Sequence, residues 1–146
     1  MVQLADTTAP KNRIVVSVVV PMHNEEDAIA GLFARLEPAL RNVTRDYEIV
    51  CVDDGSTDGT LAQLVQHRVR DERIKVLSLS RNFGTDIALS AGLDHAEGDA
   101  VIPIDADLQD PPELIGDMVA KWQQGFDVVY ARRSARDADT LPKRFL

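Results

Sequence analysis

The sequence is short of several things, and each absence closes a class of function. It has one cysteine, Cys51, inside an apolar run, which excludes a disulfide framework and a cysteine-based zinc site. No apolar stretch approaches the ~20 residues that a membrane-spanning helix needs, and the longest, Ile14 to Val20, is interrupted by Ser17. The N-terminus has no basic segment leading into an apolar core, so no secretory signal is read there. Basic charge is scarce: 16 Lys and Arg stand against 24 Asp and Glu, for a net charge of −8. A general nucleic-acid binder is thereby disfavoured, because neutralising phosphates takes clustered lysine and arginine. Neither a G-x-x-x-x-G-K-[ST] loop nor a G-x-G-x-x-G fingerprint after the first strand is present, which removes the familiar glycine-rich phosphate cradles.

What is present suits one globular domain of 146 residues, 45% hydrophobic and 27% charged. Residues 1–13 read as a polar leader, 14–133 as the domain and 134–146 as a basic tail. From Arg132 onward five bases (Arg132, Arg133, Arg136, Lys143, Arg144) meet two acids, Asp137 and Asp139. That end carries +3, and the preceding residues carry −11.

Periodicity predicts strands at Ile14–Val20, Tyr47–Val52, Ile74–Leu79, Ala100–Ile104 and Phe126–Ala131. Helices are expected between them: one capped by Asn24 and running to Leu40, and one from Asp58 to Arg70. A third follows Gly84 to about Ala96, and a fourth starts at Pro111-Pro112 and ends at Gly125. Strand–helix alternation with right-handed crossovers gives an α/β fold, a doubly wound and mostly parallel sheet with helices on both faces. Ligands of such sheets bind beyond the carboxyl ends of the strands. Those ends here carry His23-Asn24-Glu25, Asp53-Asp54, Arg81-Asn82 and Asp105-Ala106-Asp107.

Asp105 and Asp107, two apart on extended backbone, point the same way, and Gln109 adds a further oxygen. Hard oxygen ligands suit Mg²⁺ or Mn²⁺, which could bridge a diphosphate; capping of the following turn explains the same residues equally well. Asp53 could accept from a ribose hydroxyl or a base, or serve an Asx turn in which Gly55 takes positive φ. Glu25 could contact a base, and Arg81 could meet a phosphate or offset nearby acids. Lacking any His or Cys neighbour, His23 is a poor metal ligand.

Together V-P-M-H-N-E-E (Val20–Glu26), V-D-D-G-S-T-D-G-T (Val52–Thr60), S-R-N-F-G (Ser80–Gly84) and D-A-D-L-Q-D-P-P-E (Asp105–Glu113) resemble family 2 glycosyltransferases of GT-A fold. The nearest likeness is to those that charge polyprenyl phosphates. The resemblance implies inverting, metal-dependent transfer from a nucleotide-sugar, UDP-glucose before GDP-mannose, to a polyprenyl phosphate at the cytoplasmic membrane face. It implies a nucleotide-sugar pocket of Pro21, His23, Glu25, Asp53, Asp54, Arg81, Asn82, Asp105, Ala106 and Asp107. Asp105, Asp107 and Gln109 would hold Mg²⁺ or Mn²⁺. It further implies that the chain is an amino-terminal portion, itself soluble, that binds donor but turns over weakly or not at all. The acceptor-side half would be absent and the basic tail would lead toward the membrane. A nucleotidyltransferase and a receiver-like module with an acidic pocket are the alternatives. The first would want a basic glycine-rich loop after the first strand, and the second a lone aspartate where Ser80-Arg81 stands.

Overall fold

A computed structural model describes residues 15–131; the leader and the basic tail lie outside the described residues. The strands are β1 (Val16–Met22), β2 (Tyr47–Asp53), β3 (Ile74–Ser78) and β4 (Ala100–Pro103). The helices are α1 (Ile29–Val43), α2 (Thr60–Arg70), α3 (Thr85–His95) and α4 (Ile115–Gln123), the last preceded by a 3₁₀ turn at Pro112–Leu114. All pairings are parallel, in the order β3-β2-β1-β4. The expected doubly wound architecture is therefore present, with unequal faces.

Alternation along the strands divides the core. Val16, Val18 and Val20 of β1 face α1, α2 and α4, whereas Val19 faces α3 together with Val50 and Val52. Helix α1 alone buries Ile29, Leu32, Phe33, Leu36 and Leu40, at roughly 1.5–3 kcal/mol for each large apolar side chain. Helix α3 buries only Ala88 and Gly92. A Cβ on Gly92 would lie 2.3 Å from Val19 Cγ1, so the bare backbone lets α3 lie close on the sheet. Small residues thus seat α3 near the strands but give it little apolar anchorage. Its placement has to come from elsewhere, and the strand ends supply it.

Three expectations are corrected. The first strand does not stop before Pro21 but runs through it to Met22. The Val19 carbonyl accepts from the Ile104 amide, so residues of that parity address β4. The N–H that Pro21 lacks would fall on that side beyond Pro103, where no ladder bond is wanted.

The helix expected after an Asn24 cap begins only at Ile29, because the Asn24 carboxamide bonds across to another loop. Residues 126–131 are not a strand: Phe126, Val128 and Tyr130 are 56%, 79% and 79% exposed. Pairing needs neighbours ~5 Å apart. A groove of about 370 Å³, lined by Val101, Pro103, Met118, Trp122 and Val128 among others, instead runs between β4, α4 and this segment. The alternating apolar pattern is real, but among the described residues it meets no second layer.

One buried polar cluster sits toward the amino ends of the strands, away from the functional edge. Buried Ser17 donates to Glu48 at 2.5 Å, and the Gly98 amide donates to Ser17 Oγ at 2.8 Å. Glu48 also accepts from the Glu97 amide at 2.7 Å and pairs with Lys75 at 2.7 Å. Burial pushes the Glu48 carboxyl up, but the Glu97 amide, the Lys75 ammonium and the Ser17 hydroxyl together hold it below the ordinary carboxylate range. A carboxylate whose folded value is depressed stabilises the fold above its unfolded value, about 4.3, and loses that contribution as pH falls through the folded value. Glu48→Gln should therefore cost about 2 kcal/mol at pH 7. The deficit relative to the parent chain should shrink below pH 4.3, as read by urea unfolding at pH 7, 4 and 3. A deficit that holds constant over that range would remove Glu48 from the acid response.

Buried Cys51, with burial pushing its thiol up to about 12, is a core residue held in its unreactive form.

Candidate functional site

The register of the sheet sets the carboxyl ends of the strands side by side. Met22 pairs with Asp53 and Asp53 with Ser78, while β4 continues past Pro103 toward Asp105 on the far side of β1. Beyond β4 the chain keeps an alternating pattern: Ile102, Ile104 and Ala106 are buried, and Pro103, Asp105 and Asp107 are exposed. Ala106 packs into the α1 face of the core, and the chain turns there, the Leu108 amide donating to the Asp105 carbonyl at 3.3 Å. The turn closes at Leu108, whose φ of 57° is a left-handed conformation uncommon for leucine, and Asp107 Oδ1 accepts from the Gln109 amide at 3.1 Å. The Gln109 side chain stays exposed.

The turn after β2 is the hub of this edge. Asp53 is buried, with Oδ1 accepting from the Ser56 amide at 3.3 Å and Oδ2 from the Ser78 hydroxyl at 3.4 Å. Asp54 sends its carboxylate the other way: Oδ1 accepts from the Phe83 amide at 2.7 Å and Oδ2 from the Gly84 amide at 2.9 Å. Those two bonds hold the loop that starts α3, the anchorage that its few apolar contacts do not provide. Gly55, at φ 64°, lets residues 81–82 pass directly against the turn.

On the opposite side the turn is joined to the loop after β1. His23 Nδ1 lies 2.8 Å from the Asp54 carbonyl, so that nitrogen carries the proton, and Nε2 accepts from Asn24 Nδ2 at 3.3 Å. Asn24, itself at φ 53°, accepts from the Thr57 amide at 2.8 Å through Oδ1, and its own amide donates to Ser56 Oγ at 2.9 Å. The Glu25 amide donates to Thr60 Oγ1 at 2.9 Å, and the Thr60 hydroxyl donates to Asp58 Oδ1 at 2.6 Å. That bond holds the Asp58 carboxyl below its ordinary range. Glu26 closes the run by accepting from the Gly59 amide at 2.8 Å.

These ends enclose a pocket of about 240 Å³ lined by Pro21, Met22, His23, Glu25, Asp54, Thr85, Ala88, Asp105, Ala106 and Asp107. Seven of the ten residues expected for the nucleotide-sugar pocket are among them. Three are not. Asp53 is buried beneath the turn, and Asn82 is exposed, accepting from the Gly84 amide at 3.0 Å. Arg81 lays its guanidinium 4.2 Å from the Phe83 ring centroid. Sequence reasoning missed Met22, Thr85 and Ala88 as pocket residues. The signal was the glycine at 84, which starts α3 at the mouth of the pocket.

No lysine or arginine lines the pocket, whereas four carboxylates do. A phosphate-bearing ligand would meet four carboxylates here, a repulsion that a cation beside it would offset. The exposed oxygens of Asp105 and Asp107 are hard donors of the kind Mg²⁺ and Mn²⁺ take, and Gln109 could add a third. Among the described residues no cluster of three His, Cys, Asp or Glu is placed to hold an ion by itself. The set fits a cation that draws its remaining ligands from a bound phosphate. No helix among the described residues is long and apolar enough to cross a membrane.

The chain is similar to known proteins over most of its length. The description "Glycosyl transferase family 2" matches residues 17–145. An uncharacterised glycosyltransferase of Synechocystis sp. is 56% identical over 132 residues, covering 90% of this chain and 42% of that protein. The bactoprenol glucosyl transferase of Shigella phage SfV is 47% identical over 129 residues, 88% of this chain and 42% of the relative. The chain thus spans less than half the length of these relatives.

Among solved structures, S. aureus TarS 1–349 in complex with UDP-GlcNAc superposes with a TM-score of 0.60 at 32% identity, covering 76% of this chain and 32% of that one. The mannosyltransferase PcManGT of Pyrobaculum calidifontis, in complex with GDP-Man and Mn²⁺, gives 0.61 at 27% identity over 75% and 32% of the two chains.

Proposed function

Because the chain belongs to glycosyl transferase family 2, we propose that the pocket binds the nucleotide-sugar donor of a transferase that delivers the sugar to a polyprenyl phosphate. The observation that carries this reading is the convergence of Pro21, Glu25, Asp54, Asp105 and Asp107 from three strand ends on one pocket. The bactoprenol relative supports the acceptor class, and the nucleotide-sugar complexes of two structural neighbours support the donor. UDP-glucose is the first choice of donor and GDP-mannose the second. The whole enzyme works at the cytoplasmic face of the membrane, where a lipid phosphate is met.

In this reading Pro21 and Glu25 border the base, with Asp53 beneath, and Asp54 positions the 81–84 loop. Asp105 and Asp107, with Gln109, hold Mg²⁺ or Mn²⁺, which when bound neutralises charge on the diphosphate. A phosphate oxygen of the acceptor attacks the anomeric carbon from the face opposite the leaving group. The new C–O bond forms as the bond to the diphosphate breaks, and its electron pair departs with the nucleoside diphosphate, inverting the centre. A phosphate acceptor is already ionised at neutral pH, so this route makes little demand for a general base. The described residues form the donor side, and the 146-residue chain binds donor with little or no turnover.

Calorimetric titration with UDP, GDP, UDP-glucose and GDP-mannose, each in Mn²⁺ and in EDTA, tests this. Metal-dependent binding with a preference for one base is expected. A folded chain that takes up none of the four in either condition would overturn the reading.

A further inference from the structure

The hydrogen-bond inventory of the pocket is lopsided. Its side chains offer acceptors: the Glu25 and Asp105 carboxylates accept nothing from the described residues, and Asp107 has engaged only Oδ1. Both oxygens of Asp54 are committed to the amides of residues 83 and 84, and the His23 ring nitrogens to the Asp54 carbonyl and the Asn24 carboxamide. Arg81, the nearest guanidinium in sequence, is stacked on Phe83 and does not line the pocket. That leaves Thr85, whose hydroxyl has no partner among the described residues, as the one uncommitted side-chain donor of the lining. It is the first residue of α3, set in place by the two Asp54 bonds just before it.

A nucleoside diphosphate presents this pocket with two kinds of group. Sugar hydroxyls can donate, so free carboxylates can satisfy them. Diphosphate oxygens only accept, and need a donor or a cation. We propose that Thr85 is a donor-binding residue whose hydroxyl hydrogen-bonds an oxygen of the nucleotide's diphosphate, in a pocket that otherwise leaves the diphosphate charge to a bound cation. The inference rests on the nucleotide-sugar reading and names the residue that meets the diphosphate.

The test titrates UDP and GDP, and the corresponding sugar nucleotides, into the parent chain and into Thr85→Val, Thr85→Ser and Thr85→Lys, in Mn²⁺ and in EDTA. Circular dichroism confirms the fold of each. Valine keeps the β-branched shape at an exposed helix start, so the fold is retained. With Mn²⁺, Thr85→Val should weaken binding of the preferred nucleoside diphosphate about tenfold, the worth of a hydrogen bond to a charged group, and Thr85→Ser should restore it. In EDTA, Thr85→Lys should bind at least about tenfold tighter than the parent, because the ammonium supplies the missing positive charge. Val, Ser and Lys variants that all bind as the parent does would overturn the inference and leave the proposed function standing. Loss of affinity confined to the sugar nucleotides would place Thr85 on the sugar and overturn the diphosphate assignment. A folded parent chain that binds no nucleotide would overturn both.

Discussion

Gly55→Ala should cost the fold about 4 kcal/mol, a large part of the 5–15 kcal/mol that holds a domain of this size together. Three contributions add. Alanine at φ 64° carries left-handed strain of roughly 1–2 kcal/mol. Its Cβ would stand 2.3 Å from the Arg81 carbonyl carbon and 2.4 Å from the Asn82 nitrogen, and backbone atoms cannot swing aside as a side-chain tip can. Moving the 81–84 loop to make room stretches the bonds from the Phe83 and Gly84 amides to Asp54. Each, being made to a charged acceptor, contributes about 1.5–3 kcal/mol.

Gly31→Ala is the contrast. Gly31 sits on the exposed side of α1 with nothing within 4 Å of the added methyl, and alanine there should gain about 0.5–1 kcal/mol. Urea unfolding followed by circular dichroism reads both. A Gly55→Ala chain within 1 kcal/mol of the parent would mean that the turn and the loop are not locked together. The same variant should lose nucleotide affinity, because the start of α3 moves with the loop.

Much of this edge was legible in sequence because its signals are local. A β-branched run such as Val18–Val20 buries on both faces wherever it lies, and a parallel sheet then brings its polar successors to one edge. Asp105 and Asp107 line one pocket on either side of Ala106, which is small and apolar enough to enter the core, although the backbone there turns and is not extended.

What failed to show depends on partners distant in the chain. Asn24 reads as the cap of its own helix, yet its carboxamide serves Thr57, and nothing near residue 24 reveals that choice. Asp54 lines the pocket, but that its carboxylate is spent on two amides about 30 positions later is not visible from its own neighbours. Arg81 reads as a phosphate contact because it is the basic residue among these strand ends, but Phe83 two positions on offers a ring to lie against. The pattern at 126–131 records that a strand's side chains are present, not that a neighbour is there to receive its backbone. Sequence reports the chemistry available at each strand end; long-range hydrogen bonds decide which part of it stays free.

That distinction sets the second large effect. Asp105 and Asp107 keep free carboxylate oxygens, so neutralising either should remove ligand binding without disturbing the fold. Asp107→Asn retains an oxygen for the Gln109 amide and differs from the parent by charge. Asp105→Asn disturbs no hydrogen bond among the described residues. In Mn²⁺ each variant should bind the preferred nucleoside diphosphate about a hundredfold more weakly than the parent, a difference of about 2.7 kcal/mol. In EDTA, where the parent already binds weakly, variants and parent should converge or the order should reverse, because a negative charge facing the diphosphate has been removed.

Glu25→Gln separates a metal ligand from general acidity. It removes one charge from the same pocket, and if Glu25 borders the base it should change the choice between UDP and GDP while leaving the Mn²⁺ dependence in place. Titrations in which Asp105→Asn and Asp107→Asn keep the parent's full dependence on Mn²⁺ would rule out this pair as the cation site. The ion on which binding depends would then be held by other groups, and Asp105 and Asp107 would not be the residues that bring it to the diphosphate.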